Sequence, residues 1–500
     1  MTTAASPAAL SAEPKTPWLT GFVNKFTVLE GAPRELFIVF LVKLLTFAAY
    51  QVTNLGLVLW LSSDFGFSDQ KALGLVAAWS LSMTVFTLMV GSLTDVLGLR
   101  RTFFLGAWVC IFARTVMVFA NVKWLALAFG LLPLALGEAL GTPVLIAAVR
   151  CYSNTRQRSI SFSIAYAVMN GGSLLAAWLF DAVRQHWGEH GFSDVLGVKI
   201  STYRTLFLVS LLIEFSLLPL LYLLRPGLEV TDQGVKITPA AAWRRCGTLW
   251  NSLWSPVRDS LAQAVRLFAS LFRQEGFHRL LGFLILIAFL KLIFMQMYYV
   301  YPKFGIRELG DGAPVGRLWA INAMLVIVLV PFVGALTQRF SAYTMVIVGG
   351  VVSAASVFIM ALPTGWFVPL STTLPVRWLA QWYLGLTGSL HPYYVMIALF
   401  VVLLSVGEAF YSPRVYEYAA AIAPKGQEAS YGALSYVPFL LAKLLVGAFS
   451  GTLLAKYCPE HGERHSGMMW LFVALTATVA PTGLLLLRRQ IRVHEAGRQD

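Results

Sequence analysis

Long apolar runs separated by short polar breaks fill nearly the whole chain. Twelve apolar segments can be counted. The first six lie at about 36–61, 72–93, 102–120, 123–149, 159–183 and 203–224. The second six lie at about 279–302, 316–337, 341–362, 393–422, 428–456 and 467–487. Crossing a bilayer takes roughly 20 residues of helix, and each run is of that order. In lipid only helices or closed barrels satisfy every backbone polar group, so runs this long are helices. The pattern predicts an all-α membrane protein with twelve transmembrane helices in two pseudo-symmetric six-helix bundles, 36–224 and 279–487. Residues 1–35 and 488–500 are left as cytoplasmic ends.

The one long internal break, 225–278, has a different texture. Trp254, Val257, Leu261, Val265, Phe268 and Phe272 recur at steps of three or four, with Arg258, Arg266 and Arg273 between them. That spacing predicts an amphipathic helix on the membrane surface. Only the start of the connection, about 226–240, reads as a solvated linker.

Composition agrees with a bilayer as solvent. The 500 residues are 58% hydrophobic and 12% charged, with a mean hydropathy of +0.70. Soluble domains carry roughly 25% charged residues, which excludes that class. The net charge of +14 does not call for a nucleic-acid partner, because Lys and Arg collect in cytoplasmic loops of membrane proteins. With both termini and the central connection placed inside, the cytoplasmic segments hold more than half of the 38 Lys and Arg, twice the number in the outer loops. This gives a multi-pass protein of the cell (inner) membrane with both termini cytoplasmic. Met1 to Pro33 has no apolar core of a cleavable signal peptide and reads as a cytoplasmic lead. Trp18 and Phe22 could touch the membrane surface. The four cysteines share no close spacing, so neither a disulfide framework nor a structural metal is implied.

The two halves repeat each other. Gly137-Glu138-Ala139-Leu140-Gly141-Thr142-Pro143 returns as Gly407-Glu408-Ala409-Phe410-Tyr411-Ser412-Pro413. Phe40-Leu41-Val42-Lys43-Leu44 returns loosely as Phe289-Leu290-Lys291-Leu292, and Gly91-Ser92-Leu93-Thr94-Asp95 as Gly334-Ala335-Leu336-Thr337-Gln338. The glutamate heptads stand further apart than the other pairs because an outer loop, about 363–392, is inserted in the second half. Parallel half-repeats of this kind are a transporter architecture.

Gly91-Ser92-Leu93-Thr94-Asp95-Val96-Leu97-Gly98-Leu99-Arg100-Arg101 resembles the signature of the major facilitator superfamily, G-x-x-x-D-x-x-G-x-[RK]-[RK]. A tight turn at Gly98 would bring Asp95, Arg100 and Arg101 to a helix end at the cytoplasmic face, where they act as a gate. A narrower likeness is carried by Arg158, Phe162, Ile164, Tyr166, Asn170 and Gly172, which resemble the fifth-span signature of the proton-coupled oligopeptide transporter family. Gly407-Glu408-Ala409 with Ser412-Pro413 and Ala423-Pro424 resembles that family's tenth span. The likeness implies alternating access, proton coupling, a peptide or amino-acid-like solute, a cavity-facing Glu408, and a monomer that needs no cofactor. Two family motifs are missing. Lys43-Leu44-Leu45-Thr46-Phe47-Ala48-Ala49-Tyr50 stands where the family has E-x-x-E-R-F, and Thr142-Pro143-Val144 where it has Lys-Pro-Asn. Any proton coupling therefore uses other groups.

Charged residues inside spans default to functional roles, since each is costly in lipid. Lys43, Glu138, Lys291 and Glu408 fall on segments one, four, seven and ten. Sharing one low-dielectric cavity, two lysines and two glutamates are expected to pair and to carry a protonation switch. Tyr50, Tyr166, Asn170 and Tyr411 are expected to line the same cavity. Arg114, Arg414, Glu417 and Lys443 are further charges in spans, and Glu214 shows no evident partner.

Two outer loops carry His186-Trp187-Gly188-Glu189-His190 and His461-Gly462-Glu463-Arg464-His465. Helical spacing of this type could bind zinc, but a glycine interrupts each and no third ligand is apparent. They read as solvated loops. A P-loop of the G-x-x-x-x-G-K-[ST] type is absent from the sequence, which argues against an ATP-driven pump. The pattern is that of a secondary transporter rather than an enzyme. A transporter-shaped receptor without flux, or a membrane-embedded enzyme using the histidine loops, are the competing classes.

Overall fold

The computed structural model describes residues 29–492, apart from 196, 232, 238–257, 259–274, 338–339 and 423–436. Twelve long helices carry the fold. In the first half they are α1 Arg34–Ser63, α2 Asp69–Leu97, α3 Leu99–Phe119, α4 Lys123–Cys151, α5 Thr155–Trp187 and α6 Thr202–Leu223. In the second half they are α7 Glu275–Tyr299, α8 Val315–Leu336, α9 Ala342–Ala361, α10 Pro392–Ile422, α11 Val437–Tyr457 and α12 Ser466–Leu486. Eleven of the described helices are long and apolar enough to span a membrane. The twelfth is α2, equally long and packed against α4 and α11. Described helix ends fall within about four residues of the apolar runs in the sequence, except at the start of α11, where 428–436 lie outside the described residues.

The helices stop where local chemistry stops them. Gly98, at φ 78°, breaks α2 from α3, a left-handed turn that a side chain would strain. Asn154, Ser201 and Ser341 accept hydrogen bonds from the backbone N–H of Gln157, Arg204 and Thr344, which caps α5, α6 and α9.

The repeated heptad is first of all a packing device. A Cβ on Gly137 would stand 2.5 Å from Cys110 Sγ and 3.2 Å from the Gly106 carbonyl of α3. A Cβ on Gly407 would collide with Ser353 Oγ and stand 2.8 Å from the Gly349 carbonyl of α9. Both glycines are points where two helices cross at backbone distance, α3 on α4 and α9 on α10, as small residues permit in membranes.

Three features depart from the sequence reading. Phe192–Val195 (β1) and Val198–Ser201 (β2) form an antiparallel hairpin between α5 and α6, with Phe192 opposite Ser201. Leu228–Thr231 (β3) and Gly234–Ile237 (β4) form a second, with Leu228 opposite Ile237, so the linker begins as a hairpin rather than as open coil. The inserted loop 363–392 is folded too, as short helical turns at Thr364–Phe367, Val368–Ser371, Leu374–Trp378 and Leu379–Tyr383. The amphipathic stretch of the linker apart from Arg258, the lead with Trp18 and Phe22, and Ala423-Pro424 lie outside the described residues.

The halves meet along two seams, α5 against α8 and α2 against α11. The α2–α11 seam is close at two glycines: a Cβ on Gly447 would collide with Ala77, and one on Gly451, near Asp69, would stand 2.6 Å from Gln70 Cα.

Candidate functional site

Charged side chains in the spans sort into two clusters, one per half, and a clasp at one end of the molecule joins the halves. The first cluster sits inside the first half. Arg114 of α3, fully buried, donates from Nη2 to Glu138 Oε1 of α4 at 2.6 Å and from Nη1 to Glu214 Oε2 of α6 at 3.0 Å. One guanidinium thus serves two carboxylates in the dry interior, and the trio carries one surplus negative charge if both are ionised. Cys110 faces the trio from α3, and Tyr50 lies within electrostatic reach of Glu138 from α1. A cavity of about 20 Å³ touches Glu138 and Glu214 and is walled by Thr46, Gly106, Cys110 and Gly141, among others. That is room for one water.

The expected Lys–Glu pairs are therefore corrected. Glu138 is taken by Arg114, and Glu214, without an evident partner in the sequence, is the third member. The reason is geometric. Side chains of α3 and α6 point into the bundle toward α4, and a guanidinium can hold two carboxylates at once, as an ammonium on a flexible stem does less well.

The second cluster sits in the second half, among α7, α8 and α10, with the Phe439 ring of α11 beside it. Glu408 accepts from Asn322 Nδ2 of α8 at 3.0 Å, and that same amide donates to Ser405. Lys291 of α7 lies within electrostatic reach of Glu408 but forms no ion pair with it among the described residues. Its ammonium donates to Ser412 Oγ at 3.2 Å and sits 4.7 Å from the Phe439 ring, 4.9 Å from Tyr411 and 5.3 Å from Phe294. Three aromatic faces and a hydroxyl replace the counter-ion. Arg414 and Glu417, beginning nearly two helical turns past Glu408 on α10, pair at 2.5 Å as the i, i+3 spacing allows, and Arg414 also donates to Thr337 at 2.8 Å.

The other expected site residues are placed as follows. Lys43 is half-buried, 5.9 Å from the Phe47 ring, with no ion pair among the described residues. Tyr50 stacks on Trp79 of α2 with centroids 6.3 Å apart. Tyr166 and Asn170 are half-buried on α5, where the Asn170 amide donates to the Tyr166 carbonyl at 3.0 Å. Tyr411 is buried against Lys291. In the Gly91 to Arg101 motif Gly98 makes the turn, Arg100 lies 5.1 Å from the Tyr222 ring and Arg101 is exposed. Gly91 and Asp95 lie in α2, but their side chains, like that of Arg158, are outside the described residues.

The clasp went unseen in the sequence. Asp69, at the start of α2, accepts from Lys303 at 2.5 Å and from Arg307 at 2.8 and 3.1 Å, both on the short helix Tyr301–Leu309 that follows α7. Lys303 also donates to Ser62 at the end of α1. Nearby, Asp181 of α5 accepts from the backbone N–H of Gly316 at 2.9 Å and of Arg317 at 2.6 Å. A carboxylate from one half thus caps the start of α8 in the other, where free N–H groups and the helix dipole favour an anion. Arg184 pairs with both Asp181 and Glu189 and donates to the Ala313 carbonyl at 3.2 Å. Burial alone would raise Glu189, but the bonds from Arg184 and Tyr203 outweigh it and hold its carboxyl below the usual range.

Glu189 is the buried member of the first histidine loop, while His186 and His190 are exposed. In the second loop Arg464 donates to the Arg307 carbonyl, and both histidines are again exposed. No cluster of metal-ligand type occurs among the described residues.

The polar contacts described between the halves lie at this end, with Ser80 and Tyr299, 3.4 Å apart, near mid-depth. Two helical bundles closed at one end around charged interior walls define a membrane transporter. The sequence profile of the Major Facilitator Superfamily matches residues 39–380, and the chain belongs to that superfamily. No curated protein matches it in sequence.

Solved structures share the fold. One, describing substrate recognition in proton dependent oligopeptide transporters, is 18% identical over 91% of this chain and 99% of that one, with a TM-score of 0.63. A peptide transporter in complex with sulfate is 17% identical over 92% and 95%, at 0.65. A transporter of the same family in complex with 5-aminolevulinic acid is 16% identical over 92% and 97%, at 0.63.

Proposed function

We propose that the protein is a proton-coupled secondary transporter that moves a small polar or zwitterionic solute, peptide or amino-acid-like, by alternating access. The observation that carries this reading is the contrast between the clasp and the seam below it. Ion pairs between the halves gather at the Asp69 end, while Lys43, Lys291 and Glu408 stand along the seam without ion pairs among the described residues. Unpaired charge is costly in lipid and is tolerated where water or a solute reaches it. The bundles 36–224 and 279–487 would rock about this seam, with the clasp as the outer gate and the Gly98 turn, with Asp95, Arg100 and Arg101, at the cytoplasmic face. The setting is the cell inner membrane with both termini cytoplasmic, and one monomer suffices. The neighbours named above for peptides and 5-aminolevulinic acid support this solute class.

The surplus carboxylate of the Arg114 trio suits a proton carrier. Two carboxylates on one guanidinium share a single compensating charge, so the trio is neutral only when one of them is protonated. Glu408 is left to meet the solute. The test is uptake into reconstituted vesicles with an inward proton gradient, using a dipeptide as solute. Glu138→Gln and Glu214→Gln are each expected to abolish accumulation while leaving solute exchange measurable. Undiminished gradient-driven accumulation in both variants would remove the trio from the coupling mechanism.

A further inference from the structure

The spacing of the first and seventh spans repeats more closely than the Phe-Leu-x-Lys likeness alone indicates. Lys43 and Tyr50 on α1 stand seven residues apart, and so do Lys291 and Tyr298 on α7. Seven residues are nearly two helical turns, so each lysine shares a face with its tyrosine, roughly 10 Å away along the helix. α1 is in contact with α7 across the seam, and Tyr50 stacks on Trp79 of α2 next to Ser80, whose hydroxyl bonds Tyr299 of α7, so that face of α1 looks across the seam to α7. Lys43 and Lys291 therefore look into the same space, on the side of the tyrosines away from the clasp.

A third lysine joins them. On α11, Phe439, Lys443 and Gly447 follow at steps of four and share one face. The Phe439 ring lies on the Lys291 ammonium at 4.7 Å. A Cβ on Gly447 would collide with Ala77 of α2 in the other half. Lys443 lies between these two, so its helix face is turned to the seam. It is only half-buried and makes no ion pair among the described residues.

Among the described residues the spans thus set three ammonium groups, Lys43, Lys291 and Lys443, against one carboxylate, Glu408. Glu138 is removed by Arg114 inside the first half, and Arg414 and Glu417 neutralise each other further along α10. Even with the trio's surplus negative charge counted in, cationic groups exceed anionic ones. A wall of this sign favours a solute whose acidic groups outnumber its basic ones.

Resting on the transporter reading, we propose that the solute carries surplus carboxylate. It would be an acidic dipeptide or an amino dicarboxylic acid, with its ammonium at Glu408 and its carboxylates toward Lys43, Lys291 and Lys443. The probes are Ala-Glu, Ala-Ala and Ala-Lys, which differ in one side chain and carry net charges of about −1, 0 and +1 at pH 7. Binding is measured by calorimetry on the purified full-length protein without any gradient.

Ala-Glu is expected to bind about tenfold more tightly than Ala-Ala, with Ala-Lys weakest, a step equal to about 1.4 kcal/mol. Lys43→Gln and Lys443→Gln should each bring Ala-Glu down toward Ala-Ala, while Lys443→Arg keeps the preference. Equal or tighter binding of Ala-Lys overturns the proposal, and so does a protein that binds none of the three. Vesicle flux separates this from the transporter reading. Selective binding of Ala-Glu with no flux of it removes transport and keeps the charge preference, whereas flux of all three at equal rates does the reverse.

Discussion

The two copies of the glutamate heptad are alike in packing and unlike in chemistry. Gly137 and Gly407 each let their helix touch a neighbour at backbone distance, α3 and α9 respectively. One residue further on the copies diverge. Glu138 is locked by a buried Arg114 shared with Glu214, while Glu408 accepts a neutral amide from Asn322 with an ammonium nearby but not bonded. A repeat preserves what both bundles need, a close crossing of helices. It does not preserve what only one of them has to do. In the first half the carboxylate is locked by a cation, and in the second it is left with a neutral amide.

The largest expected effect tests that division directly. Arg114→Met leaves two buried carboxylates without their cation, a loss of about 3–5 kcal/mol. Lys291→Met removes a cation that no carboxylate depends on, since Glu408 keeps Asn322, and stability should change by about 1 kcal/mol or less. Thermal unfolding of the two variants in detergent gives the comparison, and adding Glu138→Gln and Glu214→Gln to Arg114→Met should recover much of the loss. Equal destabilisation by the two methionines would mean that both halves use their glutamate in one way.

The packing half of the comparison is tested next. Gly137→Ala and Gly407→Ala should each cost about 1–3 kcal/mol, because neither crossing can open without moving backbone. Gly141→Ala is the control inside the same heptad. Its Cβ would meet only Thr46 Cγ2, at 3.9 Å, and alanine in a helix gains up to about 1 kcal/mol over glycine. If Gly141→Ala proved as damaging as Gly137→Ala, the heptad's glycines would act through something other than the α3–α4 crossing.

Most of the fold was legible because its cause is one-dimensional. Apolar length and helix-breaking residues lie in the chain itself, so the spans, the Gly98 turn and the halves could be read off. The partners of the charges could not. Arg114 and Glu214 were visible as costly residues, but which face of α3 or α6 meets Glu138 depends on how three helices rotate against each other. Nothing near Asp181 in the sequence signals that it caps a helix of the other half.

The hairpins were missed for a different reason. Asp194-Val195-Leu196-Gly197 and Thr231-Asp232-Gln233-Gly234 carry turn residues between short alternating stretches, a signal that was there but overshadowed by the apolar runs around it. In the histidine loops the eye falls on the imidazoles, whereas the folding chain uses Glu189 and Arg464.

The smallest effect sharpens what holds Lys291, whose counterpart in the first half, Lys43, lies 5.9 Å from the Phe47 ring. Its ammonium has two kinds of partner, the Ser412 hydroxyl at 3.2 Å and three rings at 4.7–5.3 Å. Removing a neutral hydrogen bond costs about 1 kcal/mol, and a desolvated cation over an aromatic face is worth up to about 2 kcal/mol. Ser412→Ala should therefore lower stability by about 1 kcal/mol and leave the lysine in place, whereas Phe439→Leu should cost somewhat more. Unfolding curves for the two variants rank the partners. Should Ser412→Ala prove the more damaging, the hydroxyl rather than the rings fixes the ammonium, and Lys291 would be anchored to α10 instead of held loosely enough to meet a solute.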